Sequence, residues 1–382
     1  MRHVLYLLTA GLLPLTPIMS ATHSPQKPAP DAGHYLVYVG TYGKGVYGFR
    51  FDAASGKAEA LGMVGAVVNP SWVASDPDHR YLYAVSELEG NAEGAVAAFS
   101  MDRRSGALKP LNTRPSGGVA PCYVVVDQTG KAVIVANYVT GGVSSFPIES
   151  DGRLGPMASL MTAKGSSVNK ERQEGPHAHE VVISAANRAY VPDLGLDHIR
   201  IYKLDAASAK LTPNDPAFAQ GPPGLGPRHM LFSHDEKYAY VLNEIEPFIT
   251  IFRHDRSNGS LHMIRKVATL PEDFKGENTG AEIVLDRAGK YLYTSNRGHD
   301  SLQVFAVDSN DGGLRRIQII STGGKTPRGF AIDPDGRFLL AGNQDSNQLV
   351  LFKVNSETGK LTDTGQKFEV PKPVDVLFVP AE

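Results

Sequence analysis

Arg228, Arg297 and Arg328, Glu244 and Glu282, and the histidines of "GPHAHEVV", His177 and His179, are the residues of this chain best equipped for chemistry. Guanidinium forks match carboxylate or phosphate, so the arginines suit an anionic substrate. The glutamates can orient those arginines or act as acid and base. His177 and His179 alternate with period two and therefore share one side of a strand. Either can serve as general base on water, since imidazole titrates near neutrality. The pair can also be read as zinc ligands, but a catalytic zinc wants a third protein ligand and no spacing marks one; no metal is expected. Arg172 and Gln173 lie in a long polar connection, "KGSSVNKERQEG", that leads directly into His177. It is either a lid that contributes one of those side chains or a solvated loop.

The elements that must position these residues repeat. A Pro or Gly opens a short strand, an Asp/Asn-rich turn follows, then an apolar strand with a polar end, then a β-branched or aromatic strand. "NPSWVASDPDHRYLYAVSE" and "TPRGFAIDPDGRFLLAGNQ" are two of seven copies. They open at Pro70, Pro121, Pro176, Pro227, Gly280, Pro327 and Pro373, at intervals of 51, 55, 51, 53, 47 and 46 residues. Such a period, with several strands per unit, marks radial β-repeats. Each unit has three clear strands and a weaker fourth, and helical periodicity is nearly absent, which predicts an all-β, seven-bladed β-propeller of four-stranded antiparallel blades. The first unit, from Tyr35, lacks its opening strand, whereas "PVDVLFV" (Pro373 to Val379) is an opening strand with no unit of its own. Pairing the two closes the ring and removes exposed edges.

If the first strand of each blade lines the channel, strand starts and second-strand ends face one mouth. The starts supply Trp72, Tyr123, His177, His179, Arg228, His229, Glu282 and Arg328. The ends supply Tyr42, Glu87, Asn137, Asp193, Glu244, Asn296, Arg297, Asn343 and Gln344. A concave mouth where charged groups converge is the default binding site. Arg328, Glu282, Asn343, Arg172 and Gln173 are then candidates for binding substrate around the chemical set. Strand ends are also polar simply because they are wet, and an arginine–glutamate pair can serve only to brace neighbouring blades.

The 382 residues carry a net charge of −2 and no basic stripe, which speaks against a nucleic-acid partner. Residues 1–21 join Arg2 and His3 to the apolar run "VLYLLTAGLLPL" and then to Ser20 and Ala21, the pattern of a secretory leader. Pro14 and Pro17 interrupt the run, so stable membrane insertion is not expected. Residues 22–33 form a Pro-rich linker, and 34–382 the propeller. The expected location is periplasmic or secreted; a retained anchor and a cytoplasmic location are the alternatives. Cys122 is the single cysteine and sits in "CYVVVD", where it reads as a small buried hydrophobe. No G-x-S-x-G elbow, phosphate-binding loop or dinucleotide fingerprint is present, so no cofactor is expected.

"GSSVNKERQEGPHAHEV", "GPRHMLFSHDEKYAYVLNE", "AEIVLDRAGKYLYTSNRGHDSLQVF" and "PRGFAIDPDGRFLLAGNQDSN" closely resemble the seven-bladed-propeller lactonase family, over essentially all of Tyr35 to Pro380. Its members include propeller-type 6-phosphogluconolactonases and fungal carboxymuconate lactonising enzymes. The resemblance implies metal-independent lactone chemistry at one mouth of the channel, with His177 or His179, Arg228, Glu244 and Arg297 as the matching active-site set. It implies a small, anionic lactone as partner, opened to its aldonic acid, and the chain is expected to act as a monomer. The leader departs from the familiar cytosolic members and puts a phosphorylated physiological substrate in doubt. A non-catalytic binding module and a muconate-type cycloisomerase are the alternative functions.

Overall fold

The computed structural model describes residues 1, 33–88 and 90–382. The expected leader and linker fall outside this set, apart from Met1 and Gly33. Twenty-eight strands form seven four-stranded antiparallel sheets, and one 3-10 turn, Gln344–Ser346, is the only helical element among the described residues. The propeller read from the repeats is thus the fold observed. Blade one combines His34–Thr41, Gly45–Asp52 and Lys57–Ala66 with Pro373–Pro380, paired from Tyr35↔Pro380 to Thr41↔Pro373. Blades two to seven follow in chain order, with inner strands at Val73–Ser75, Pro121–Val126, Val182–Ile183, Pro227–Phe232, Thr279–Leu285 and Pro327–Ile332.

Sequence explains the layering within a blade. Second strands such as Ala132–Asn137, Tyr238–Asn243 and Phe338–Asn343 are wholly buried and apolar up to their terminal asparagine, because neighbouring blades cover both faces. The outermost strand, as in Leu361–Glu369, is mostly open to solvent and correspondingly polar. The core consists of seams between blades: Val37, Phe49 and Phe51 of blade one pack with Leu340, Leu349 and Leu351 of blade seven. The turns between first and second strands are held by aspartates. Asp76, Asp127, Asp286 and Asp333 each accept two backbone N–H groups, four and five residues ahead.

Two irregularities of the inner strands matter for the site. In blades three, five and seven a β-bulge puts two residues opposite one, and the extra residues are Cys122, Arg228 and Arg328. Blades one and six are bulged at the same level, between Asp375 and Pro373 and between Gly280 and Ile283. Bulges re-aim the side chains that follow them. The residue before the opening proline is left-handed in five blades: Asn69, Ala120, Gly226, Thr326 and Lys372 have φ between 41° and 69°. Four of these five are not glycine, a cost that persists only where the surroundings fix the backbone.

Ring closure also depends on close backbone approach. A Cβ on Gly329 would lie 2.1 Å from the Val374 carbonyl oxygen of the closing strand. Gly329→Ala is expected to lower stability by about 1–3 kcal/mol, the usual cost of overpacking. An unchanged urea midpoint would show that the two strands have room to part.

Candidate active site at the mouth of the channel

The left-handed residues and the bulges together build the mouth. Each left-handed carbonyl accepts the backbone N–H of the residue just past the end of the second strand: Tyr42 to Lys372, Glu87 to Asn69, Tyr138 to Ala120, Glu244 to Gly226 and Gln344 to Thr326. The preceding residue is a scaffold residue in the later blades. Asn137, Asn243 and Asn343 donate their side-chain amides outward to backbone carbonyls, and Asp193 accepts from the backbone of His177, Gly195 and Leu196. One position therefore stitches the blade, and the next presents a side chain to the mouth.

Glu244 is the centre of the charged set. Its Oε1 lies 2.6 Å from Arg172, and its Oε2 lies 2.9 Å from Arg228 Nε and 3.0 Å from Arg297. His179 Nε2 is 3.7 Å away. Burial alone would raise the Glu244 pKa, but Arg297 and Arg228, with His179 and Arg172, overcome it and hold the carboxyl well below the usual range. Glu244 is therefore a permanent anion at neutral pH, suited to orienting arginines rather than to passing protons. The arginines differ in access. Arg228 is 2% exposed, with Nε on Glu244 and a terminal nitrogen on the Ala281 carbonyl. Arg172 and Arg297 are 38% and 12% exposed and can meet a ligand. Arg297 Nε is buried with no hydrogen-bond partner among the described residues. Burial, with repulsion from Arg228 and Arg328 and despite Glu244, brings the Arg297 pKa to about 10, still a cation at neutral pH.

The two histidines flank Tyr138. His177 stacks on its ring at 4.7 Å, and His179 meets it edge-on at 5.4 Å. The Tyr138 carbonyl can only accept, so His177 Nδ1 carries a proton there (3.0 Å), and Nε2 lies 3.1 Å from the Glu174 carboxylate. His179 is enclosed: burial, with Arg228 and His229, keeps its pKa well below the ordinary value, so it is neutral. Its ring faces Cys122, whose thiol burial pushes far up, so the cysteine is inert as a nucleophile.

One residue further along the inner strands is a second ring. Trp72 and Tyr123 stack at 4.5 Å, both meet His229 edge-on, and His229 Nδ1 lies 3.1 Å from Glu282. Glu180 and Asp375 complete it, accepting the backbone N–H groups of Met230 and of Val73 and Val376. Burial, only partly offset by Arg228, raises Glu282 to about 8. Burial and the neighbouring Glu282, partly offset by the Val73 amide, do the same for Asp375. Free carboxyls ionise near pH 4, so unfolding releases protons between about pH 4 and 8 and stability falls as pH rises there. Above about pH 6.5 histidines contribute little to this slope. Between pH 6.5 and 9, wild-type urea midpoints should decline more steeply than those of Asp375→Asn; superimposable curves would refute the buried neutral acid.

On the other side of the mouth Arg328 donates to Tyr42 Oη at 2.8 Å, and Tyr42 donates to Glu87 at 2.9 Å. The Arg328 guanidinium lies 5.0 Å from the Tyr42 ring centre.

The structure thus gathers Arg172, Arg228, Glu244 and Arg297 into one cluster, with His177 and His179 beside it and Arg328 across the mouth. Three expected binding residues are placed elsewhere. Glu282 sits one level deeper on His229, because the bulge separates adjacent residues into two rings. Asn343 is fully buried, with its amide on the Thr322 carbonyl. Gln173 is fully buried as well and braces its own loop, accepting from Asn169 N–H and donating to the Leu194 carbonyl. Sequence reading passed over Tyr138, Glu174, Glu180 and Asp375. Tyr138 was legible as the residue after the stitching Asn137, and Asp375 as the third residue of the closing strand, in register with His229 and Glu282.

A closed ring of seven blades with a cationic, carboxylate-centred mouth is a propeller built around a small-molecule site. The family model described as "Lactonase, 7-bladed beta-propeller" matches residues 36–378. A Bacillus subtilis protein named 6-phosphogluconolactonase is 36% identical over 351 residues, covering 90% of this chain and 98% of its own. A Formosa agariphila protein of the same name is 33% identical, covering 87% and 96%. The solved structure of a Pseudomonas aeruginosa periplasmic gluconolactonase superimposes with a TM-score of 0.86 at 34% identity, covering 91% of this chain and all of that one. The chain belongs to the seven-bladed β-propeller lactonase family, as its motifs suggested.

Proposed function

We propose that this protein is an exported lactonase that opens a sugar-derived lactone to its aldonic acid at the arginine-lined mouth. The observation that carries the reading is the convergence of Arg172, Arg228 and Arg297 on the single carboxylate of Glu244, in a chain that belongs to the lactonase family. Three cations and one anion leave a net charge of +2 where a lactone carbonyl would become an oxyanion. Preorganised positive charge in a water-poor site is commonly the largest contribution to such catalysis.

The steps follow from what each group can do. Arg297 and Arg172, the arginines of the cluster with access to the mouth, face the carbonyl oxygen. Arg228 is a positioning residue: buried, it fixes Glu244, which in turn fixes the other two arginines. His177 is assigned as the base: the Tyr138 carbonyl holds its Nδ1 proton, and Nε2 takes one from a water that displaces the Glu174 carboxylate from it. Glu174, 3.1 Å away, stabilises the imidazolium. Water oxygen bonds to the carbonyl carbon as Nε2 takes its proton; the bond to the ring oxygen then breaks, and that oxygen leaves as a hydroxyl with the proton returned from Nε2. His179, enclosed and neutral, supports Tyr138 and Glu244. The relatives and the neighbour are named for lactone hydrolysis, and none favours a binding module or a muconate cycloisomerase.

The test is hydrolysis of glucono-1,5-lactone and of its 6-phosphate, corrected for spontaneous opening. A wild-type rate no greater than the spontaneous one overturns the assignment. His177→Ala should lower kcat about 10²–10⁴-fold, the usual range for loss of a general base. Equal activity in wild type and variant would remove His177 from its role. Export is supported by the leader pattern of residues 1–21 and by the periplasmic name of the structural neighbour. N-terminal sequencing of the native protein should find a start near Ala21, in the periplasm or medium; an intact Met1 on a cytosolic protein would restore a phosphorylated intracellular lactone as the substrate.

A further inference from the structure

Across the mouth from Glu244, a cavity of about 420 Å³ opens against the Arg328–Tyr42–Glu87 chain, with Gln344 and Lys372 in its wall. It belongs to the same mouth, since Arg328 lies close enough for Glu244 to act on its charge. Several of its polar atoms have no use within the fold. Arg328 Nε and Gln344 Oε1, enclosed in this wall, have no hydrogen-bond partner among the described residues. Tyr42 occupies Glu87 Oε2, and among the described residues no hydrogen bond reaches Oε1. Lys372 stands exposed at the rim, held in its left-handed conformation by the bond from Tyr42 N–H to its carbonyl. Unpartnered buried polar atoms are costly in native proteins, so a wall that holds two of them beside the half-free Glu87 carboxylate points to a ligand whose entry lets these side chains pair.

The pattern of these atoms identifies the ligand's chemistry. Arg328 Nε and the Lys372 ammonium only donate; Glu87 and Gln344 Oε1 accept. A hydroxyl group both donates and accepts, so a chain of neighbouring hydroxyls satisfies such a mixed wall, whereas an aliphatic ring satisfies none of it. We propose that this cavity is the subsite for the hydroxylated carbons of the lactone, with Glu87 and Gln344 as specificity-determining residues that select polyhydroxylated lactones over plain ones. The inference rests on the lactonase reading and adds to it the half of the mouth that does no chemistry. Sites built to pair with substrate hydroxyls reject analogues lacking them much more strongly than apolar pockets reject shape.

The experiment compares kcat/KM for glucono-1,5-lactone and for 1,5-valerolactone, which has the same ring without hydroxyls, using the full-length protein. Wild type should prefer the hydroxylated lactone strongly. Glu87→Gln and, independently, Gln344→Ala should each shrink that preference about tenfold or more, chiefly through KM for gluconolactone. Arg297→Ala should lower both values in proportion and leave the preference in place. A preference unchanged in both Glu87→Gln and Gln344→Ala overturns the subsite while leaving lactone hydrolysis standing. A wild type that opens neither lactone overturns the lactonase reading itself.

Discussion

Glu244→Ala is expected to lose about 3–5 kcal/mol of stability, because removing one partner of a buried ionic cluster leaves the others uncompensated. Here the stranded partners are three arginines held within 2.6 to 3.0 Å of one carboxylate. Lactone hydrolysis should vanish with it, since neither Arg172 nor Arg297 would keep its place. Glu244→Gln separates charge from volume: it should fold, lose most activity, and lose part of the acid sensitivity of the wild type. The sign follows from the depressed pKa. Stability from Glu244 is fully present above the unfolded carboxyl pKa and disappears as pH falls below it, toward the lower folded value. Wild-type stability should therefore fall more steeply than that of Glu244→Gln on acidification below about pH 4.5. A Gln variant matching wild type in urea midpoint and in rate would show that the carboxylate is incidental.

Arg297→Ala is expected to reduce kcat about 10²–10³-fold, the range seen on removing one donor to an oxyanion. The effect should fall on kcat and kcat/KM alike, because the interaction is made chiefly in the transition state. Arg297→Lys should recover little: an ammonium can replace the one terminal nitrogen that meets Glu244 and the Gly280 carbonyl, but it lacks the remaining guanidinium N–H groups needed for the substrate. The fold should survive, as Glu244 keeps Arg172 and Arg228. A loss confined to KM would reassign Arg297 to uniform substrate binding.

The seven-fold repeat was legible because each blade buries the same faces, so the apolar strands, the aspartate turns and the orphan strand from Pro373 all recur in the sequence. The site is legible only where symmetry fails. Asn137, Asn243 and Asn343 repeat because each stitches the same bend, whereas Tyr138, Glu244 and Gln344, one place further, differ because they face the mouth. Reading strand ends as one column therefore placed Asn343 among binding groups. Reading strand starts as one column merged Arg228 with His229 and Glu282, because a bulge leaves no trace in a two-residue alternation. His177 and His179 were recognisable as a pair, but their tautomers and burial depend on Tyr138 and Cys122, which come from another blade. Arg172 was marked by its loop; Gln173 beside it was equally plausible by type, and only the loop's backbone decides which of the two points inward.

Blade one remains a three-stranded sheet with an open inner edge until Pro373–Pro380 pairs with His34–Thr41. Every seam of the ring can form locally except this one, which joins segments from opposite ends of the chain and bears the largest loop-closure entropy. During synthesis the propeller therefore stays unlatched until its last strand is available. Under the exported reading proposed above, that delay is an asset: a chain whose ring closes last resists premature folding and remains a thread that a translocation channel can take.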